Sequence, residues 1–217
     1  MLKTLINMLK SVKRCFAFPG SAAYWERRYA RQGNSGAGSY GRLAEFKAAV
    51  LNQFVKEKNI ETVIEFGCGD GNQLSLAQYP HYIGVDVSPM AVSLCRERFA
   101  TVEELEFLTL SDYLSKGNGQ IAELGLSLDV IYHLVEDDVF EKYMATLFDA
   151  STRYVAVYSS NEDKSYQKGL HVRHRKFQDW IDKNRSEWKC ILHIPNKYPY
   201  EEGNSDTSFA DFFFYER

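Results

Sequence analysis

Apolar positions recur at two different periods along this chain, and the change of period divides it. Leu2, Leu5, Ile6, Leu9, Val12 and Phe16 stand three or four residues apart with bases mostly between them. That spacing predicts a basic amphipathic helix within residues 1–20. A second helical piece runs from about Ala22 to Arg31, and Gly33–Gly41 is a loop by composition. Leu43, Phe46, Val50, Leu51 and Phe54 then mark a helix that should end near Lys58-Asn59.

From residue 61 strands and helices alternate. Thr62–Phe66 reads as a buried strand, followed by a glycine turn and a short helix, and His81–Asp86 as a second strand. Ser88 is placed to cap a helix through Arg98, with Pro89 at its first position. Further strands are expected at 105–110, 124–131 and 154–159, with helices at 139–148 and 177–184. Trp188–Ile194 and Phe209–Tyr215 close the chain as two strands with no room for a helix between them, so they should form an antiparallel return. Strands alternating with helices indicate a mostly parallel α/β sheet. The expected organisation is an N-terminal helix over 1–20 and a single domain over 21–217, with residues 21–41 lying over it as a lid.

Composition narrows the class. Hydrophobic residues make up 45% and charged residues 25%, which suits a packed domain and argues against wholesale disorder. The formal charge of −3 removes the simplest case for nucleic-acid binding. It is spread unevenly, because residues 1–14 carry +4 and no acid, leaving −7 for the rest. Two readings stand for the basic segment: contact of residues 1–17 with an anionic membrane surface, or packing on the domain or a second subunit. Cys15, Cys68, Cys95 and Cys190 include no CxxC pair, which argues against zinc or a disulfide framework and for a reducing, cytoplasmic compartment. No apolar run reaches the roughly 18 residues that span a bilayer.

The sharpest chemistry lies in Glu65-Phe66-Gly67-Cys68-Gly69-Asp70-Gly71, directly after the first strand. Alternate glycines let the backbone turn tightly and let a ligand approach closely. The turn stands at the carboxyl end of a strand, where open α/β sheets bind ligands. Asp86 follows at the end of the second strand, where a carboxylate can accept from both ribose hydroxyls of an adenosine cofactor. A dinucleotide fingerprint would require glycine at 72, and this chain has Asn72.

The GxGxG turn with its spaced acid resembles motif I of class I S-adenosylmethionine-dependent methyltransferases. Leu126–Leu134 is similar to that family's fourth-strand motif, which lies beside the reacting methyl group. The resemblance covers roughly residues 42–217. It implies a Rossmann-like sheet of seven strands, mostly parallel with an antiparallel last strand and helices on both faces. S-adenosyl-L-methionine is the cofactor it implies, with Glu65, Gly67, Cys68, Gly69, Asp86, Val87 and Leu128 around it. By the same resemblance Asp112 meets the adenine amino group; a helix cap or a surface acid is the other reading of that residue. Cys68 fits a small packing residue better than a nucleophile, since no base stands near it in sequence.

On the acceptor side, the whole chain looks similar to small methyltransferases of bacterial capsule and lipopolysaccharide gene clusters. That makes a sugar, or a phosphate-linked group on a sugar, the expected substrate class. Tyr24 and Tyr40 belong to the expected lid and are candidate substrate contacts. The run His171-Val172-Arg173-His174-Arg175-Lys176 offers Arg173 and His174 to an anionic group, or is simply a solvated basic segment. No third ligand supports a metal beside His171 and His174. His133 is the first candidate for a general base, with His171 second, and the rate should fall at acidic pH as the base charges. In the alternative reading His133 packs or orients its loop. A small-molecule O- or N-methyltransferase outside glycan pathways, and a binding module that keeps the pocket without turnover, are the competing functions.

Overall fold

The computed structural model describes residues 18–115, 120–164 and 169–217. The amphipathic pattern of residues 1–17 lies outside the described residues. Seven strands form one sheet: β1 (Thr62–Phe66), β2 (His81–Asp86), β3 (Leu105–Thr109), β4 (Ala122–Leu128), β5 (Ser151–Ser159), β6 (Lys189–Ile194) and β7 (Asp211–Glu216). Their order is β3-β2-β1-β4-β5-β7-β6. β1 through β5 pair in parallel, while β7 runs antiparallel to both β5 and β6. The expected fold class and closing return are both present.

The helices are α1 (Ser21–Ala30), α2 (Gly41–Lys58), α3 (Pro89–Arg98), α4 (Leu110–Ser115), α5 (Asp137–Asp149) and α6 (Phe177–Asn184). Ser88 caps α3 by accepting the Ala91 N–H, and Pro89 occupies the first turn. Asn59 ends α2 in the left-handed conformation at φ 52°.

Burial on both faces explains the apolar strands. Along β5, Tyr154, Ala156 and Tyr158 enter one core while Val155 and Val157 enter the other. β7 repeats the alternation, with Phe212 and Phe214 on one side and Phe213 and Tyr215 on the other.

β4 differs from its expected span. It begins at Ala122 and stops at Leu128, three residues short of Ile131. Asp129 takes φ 61°, which ends the ladder, and residues 131–133 form a 3₁₀ turn. That break turns His133 away from the sheet and over its carboxyl edge. The helix expected at 139–148 also begins earlier, at Asp137, with Asp137 and Asp138 in its first turn, where acids favour the helix dipole.

Candidate functional site

A cavity of about 360 Å³ opens at the carboxyl ends of β1, β2 and β4, a size typical of small-ligand sites. The strands and the turns that follow them contribute Glu65, Gly67, Cys68, Gly69, Asp86, Val87 and Leu128, all seven of which line it. Gly67 and Gly69 are required there by geometry. Both take positive φ, and a Cβ would stand 2.4 Å from Val130 Cγ2 at Gly67 and 2.2 Å from Ser35 Oγ at Gly69.

Asp86 is buried at the cavity wall. Its Oδ2 accepts the Gly69 N–H at 3.0 Å and its Oδ1 the Ser88 N–H at 2.8 Å, so the carboxylate is fixed in orientation. Burial pushes its pKa up to about 6, against the pull of those N–H groups. Glu65 lies deeper, with Oε2 accepting from the Tyr82 hydroxyl at 2.7 Å. Burial raises it to about 7, opposed by Tyr82 and Lys47. The raised value has a thermodynamic consequence. The folded state holds the Glu65 proton more tightly than the unfolded chain, so its contribution to stability is present below pH 4.5 and is lost as pH rises through about 7. Glu65→Gln should therefore gain stability relative to the unsubstituted protein across that window, read as the difference between urea midpoints at each pH.

Two polar groups in the cavity escaped the reading from sequence. Lys47 of α2 is only 1% exposed, and its Nζ lies 2.6 Å from Asp129 Oδ2. The Tyr132 hydroxyl donates to the other oxygen, Asp129 Oδ1, at 2.7 Å. Gln73 donates its amide to the Ala44 carbonyl at 3.1 Å, leaving Oε1 buried without a partner. An orphan acceptor in a cavity wall suits a ligand that donates.

The segment before the sheet closes the cavity. Ser21 Oγ lies 2.7 Å from the His133 carbonyl oxygen and 2.6 Å from Glu136 Oε2, and it accepts the Val135 N–H at 3.0 Å. At the other end, Ser35 and Asp70 bond reciprocally: the Ser35 N–H donates to Asp70 Oδ2, and the Asp70 N–H to Ser35 Oγ, both at 3.0 Å. Tyr40 adds its hydroxyl to Asp70 Oδ2 at 2.7 Å. Burial pulls the Asp70 carboxyl up, but these donors and the Asn72 N–H hold it below its ordinary value. Trp25, Tyr29, Ser35 and Ser39 thereby line the cavity from above.

His133 lines the same cavity. Its Nδ1 lies 3.0 Å from the His171 carbonyl oxygen. A carbonyl only accepts, so Nδ1 carries the proton and Nε2 of the neutral ring keeps its lone pair. Burial drives the pKa down to about 4, with the bond to His171 opposing. The His171 ring stands between Tyr24, stacked at 4.6 Å, and His133 at 5.5 Å, while Trp25 meets His133 edge-on at 4.9 Å. His171 and Tyr24 thus support His133 from behind and stand outside the cavity lining.

Four further expected contacts also stand outside that lining. Asp112 is exposed in the first turn of α4, where its N–H meets Thr109 Oγ1 at 3.0 Å. Leu110 and Leu114, four residues apart on the opposite face of that helix, line the cavity instead. Tyr40 spends its hydroxyl on Asp70. Arg173 pairs with Asp137 at 3.0 Å and donates to the Val135 carbonyl at 2.9 Å. The His174 Nδ1 lies 2.6 Å from Ser160 Oγ. Among the described residues no cluster of His, Cys, Asp and Glu could hold a metal ion, and no helix is long and apolar enough to cross a membrane.

No family model matches the chain. It is 32% identical over 96 residues to the eEF1A lysine and N-terminal methyltransferase of Mus musculus, covering 43% of this chain and 13% of that protein. It is 27% identical over 117 residues to the small RNA 2'-O-methyltransferase of Arabidopsis thaliana, covering 46% of this chain and 12% of that protein. The chain thus matches only about an eighth of the length of each of these relatives. Among solved structures, the N-methyltransferase NodS of Bradyrhizobium japonicum, in complex with S-adenosyl-L-homocysteine, superposes with a TM-score of 0.68 at 14% identity. That superposition covers 91% of this chain and 98% of NodS. With the seven-stranded order and the glycine turn at its carboxyl edge, the chain has the fold of the class I S-adenosylmethionine-dependent methyltransferases.

Proposed function

We propose that the protein transfers a methyl group from S-adenosylmethionine to a hydroxyl of a sugar-containing acceptor, in the setting of bacterial surface-glycan assembly that the sequence resembles. The observation that carries this reading is one cavity joining the Gly67–Gly69 turn and Asp86 to a histidine whose Nδ1 is already bonded.

The residues present fit the cofactor. Asp86 offers a buried carboxylate to ribose hydroxyls, and Gln73 Oε1 an orphan acceptor to a donor such as an ammonium. Lys47 offers a buried cation to a carboxylate, and Leu110, Leu114 and Val87 an apolar wall to a base. S-adenosylmethionine supplies a methyl group already activated on a sulfonium. The protein's part is then to position the acceptor, exclude water beneath α1, and receive a proton. His133 Nε2 is the atom that receives it.

The acceptor side favours a neutral sugar over a phosphate. Arg173 and Arg175 are engaged by Asp137 and by the carbonyls of Leu134 and Val135, which leaves little of the basic run for an anion. Trp25 and His133 present ring surfaces of the kind that pack on apolar sugar faces.

Calorimetry should show S-adenosylhomocysteine binding more tightly than NAD. Asp86→Ala should weaken that binding by about 1–3 kcal/mol, because the ribose hydroxyls lose their acceptor. Tighter binding of NAD would overturn the cofactor assignment. Mass spectrometry of candidate glycans after incubation with cofactor tests the acceptor class directly.

A further inference from the structure

A second cavity, of about 450 Å³, opens where the carboxyl end of β5 meets the amino end of the antiparallel β7, outside the site described above. Ser159, Asp211, Phe213, His193 and Cys190 come from β5, β7 and β6, and Gln178 from α6. Asn161, Glu162 and Phe209 complete it. Its most telling group is Ser159. This residue is wholly buried, lines the cavity, and its Oγ has no hydrogen-bond partner among the described residues. A buried hydroxyl left unpaired is costly to the protein alone, and a ligand in this cavity would satisfy it after the small side-chain shift that exposes it.

The chemistry of the remaining walls limits the ligand. No lysine or arginine is among the lining residues, and two carboxylates are, so an anion is disfavoured. Asp211 is oriented by His193 Nε2 at 2.9 Å and by the Asn196 N–H at 2.8 Å, and His193 in turn stacks on Phe213 at 4.5 Å. Asn161 and Gln178 bond to each other, yet each amide keeps further hydrogen-bonding capacity. Hydroxyl, amide and fixed carboxylate groups beside an aromatic ring suit a ligand bearing several hydroxyls that both donate and accept.

The position relative to the first cavity is equally specific. Phe209 packs edge-on against Tyr132 at 4.8 Å, and the Tyr132 hydroxyl holds Asp129 in the wall of the first cavity. One pair of rings therefore links the two walls along the same edge of the sheet.

We propose that the second cavity binds a sugar unit of the acceptor other than the one that is methylated. Its identity as part of the acceptor rests on the methyl-transfer reading; the binding of a sugar there does not.

The test uses the full chain saturated with S-adenosylhomocysteine and the methyl glycosides of glucose, galactose, mannose and N-acetylglucosamine, followed by saturation-transfer NMR. At least one glycoside should bind, and Ser159→Ala should weaken it roughly tenfold, the effect of one lost hydrogen bond. The same substitution removes an unpaired buried hydroxyl, so Tm should hold or rise by about 2–4 °C, where a structural role would lower it. Gln178→Ala, at the cavity wall on α6, should weaken the same glycoside while leaving Ser159 in place. A failure of S-adenosylhomocysteine to bind would overturn the methyl-transfer reading and leave sugar binding here to stand on its own result. The second cavity loses its assignment if none of the four glycosides binds, if binding is unchanged in both variants, or if Ser159→Ala lowers Tm.

Discussion

His133→Ala should lower kcat by roughly 10²–10⁴-fold, the usual effect of removing a positioned general base, while leaving affinity for S-adenosylhomocysteine little changed. The structure sharpens the pH dependence of that step. An ordinary histidine would charge near pH 6.5, but burial brings His133 down to about 4. Its lone pair is then available across the neutral range, and the acid limb of kcat should fall near pH 4. Cofactor affinity should follow a different group. Asp86 protonates near pH 6 and loses acceptor capacity below it, so binding of S-adenosylhomocysteine should weaken there while kcat holds. The stability effect of His133 has a definite sign too. Its depressed pKa makes a contribution that is present above pH 6.5 and lost as pH falls through about 4. A kcat that holds well below pH 4, with less than about a threefold loss in His133→Ala, would reject His133 as the base. The acceptor would then react already ionised.

The glycine turn, Asp86 and the strand ends were legible because their constraints are local. The glycines at 67 and 69, the cap at Ser88 and the continuous apolar runs of β5 and β7 each leave a signature within a few residues. Contacts between distant segments leave none. Asp112 was placed by analogy of position, but one helical turn decides which side of α4 meets the cavity, and Leu110 and Leu114 take that side. For Arg173 the partner is neither an anionic ligand nor bare solvent but Asp137, which lies 36 residues earlier, in a different element. Lys47 did leave a trace that went unused. Leu43, Ala44, Ala48, Leu51, Phe54 and Val55 form the buried stripe of α2, and Lys47 stands within it. A lysine at an apolar register position calls for a buried anion, and only the fold could supply Asp129, 82 residues later.

That pair carries the second large expected effect. Lys47→Met keeps the length and packing of the side chain but strands the Asp129 carboxylate, whose side chain is 13% exposed. Loss of one member of a buried pair typically costs about 3–5 kcal/mol, because the remaining charge stays desolvated without compensation. Asp129→Asn should then rescue much of the loss in the double variant, since the amide needs no counter-charge. Asparagine also tolerates the left-handed backbone at this position, where φ is 61° and alanine would add strain. The Tyr132 hydroxyl can still donate to the amide oxygen, so the turn carrying His133 should keep its place. Urea unfolding of the two single variants and the double variant measures the coupling directly. A Lys47→Met cost below about 1 kcal/mol, or no rescue in the double variant, would show that water or a rearranged donor compensates Asp129. In the expected outcome the ion pair fixes the αL break after β4, and through it the histidine at the cavity's edge.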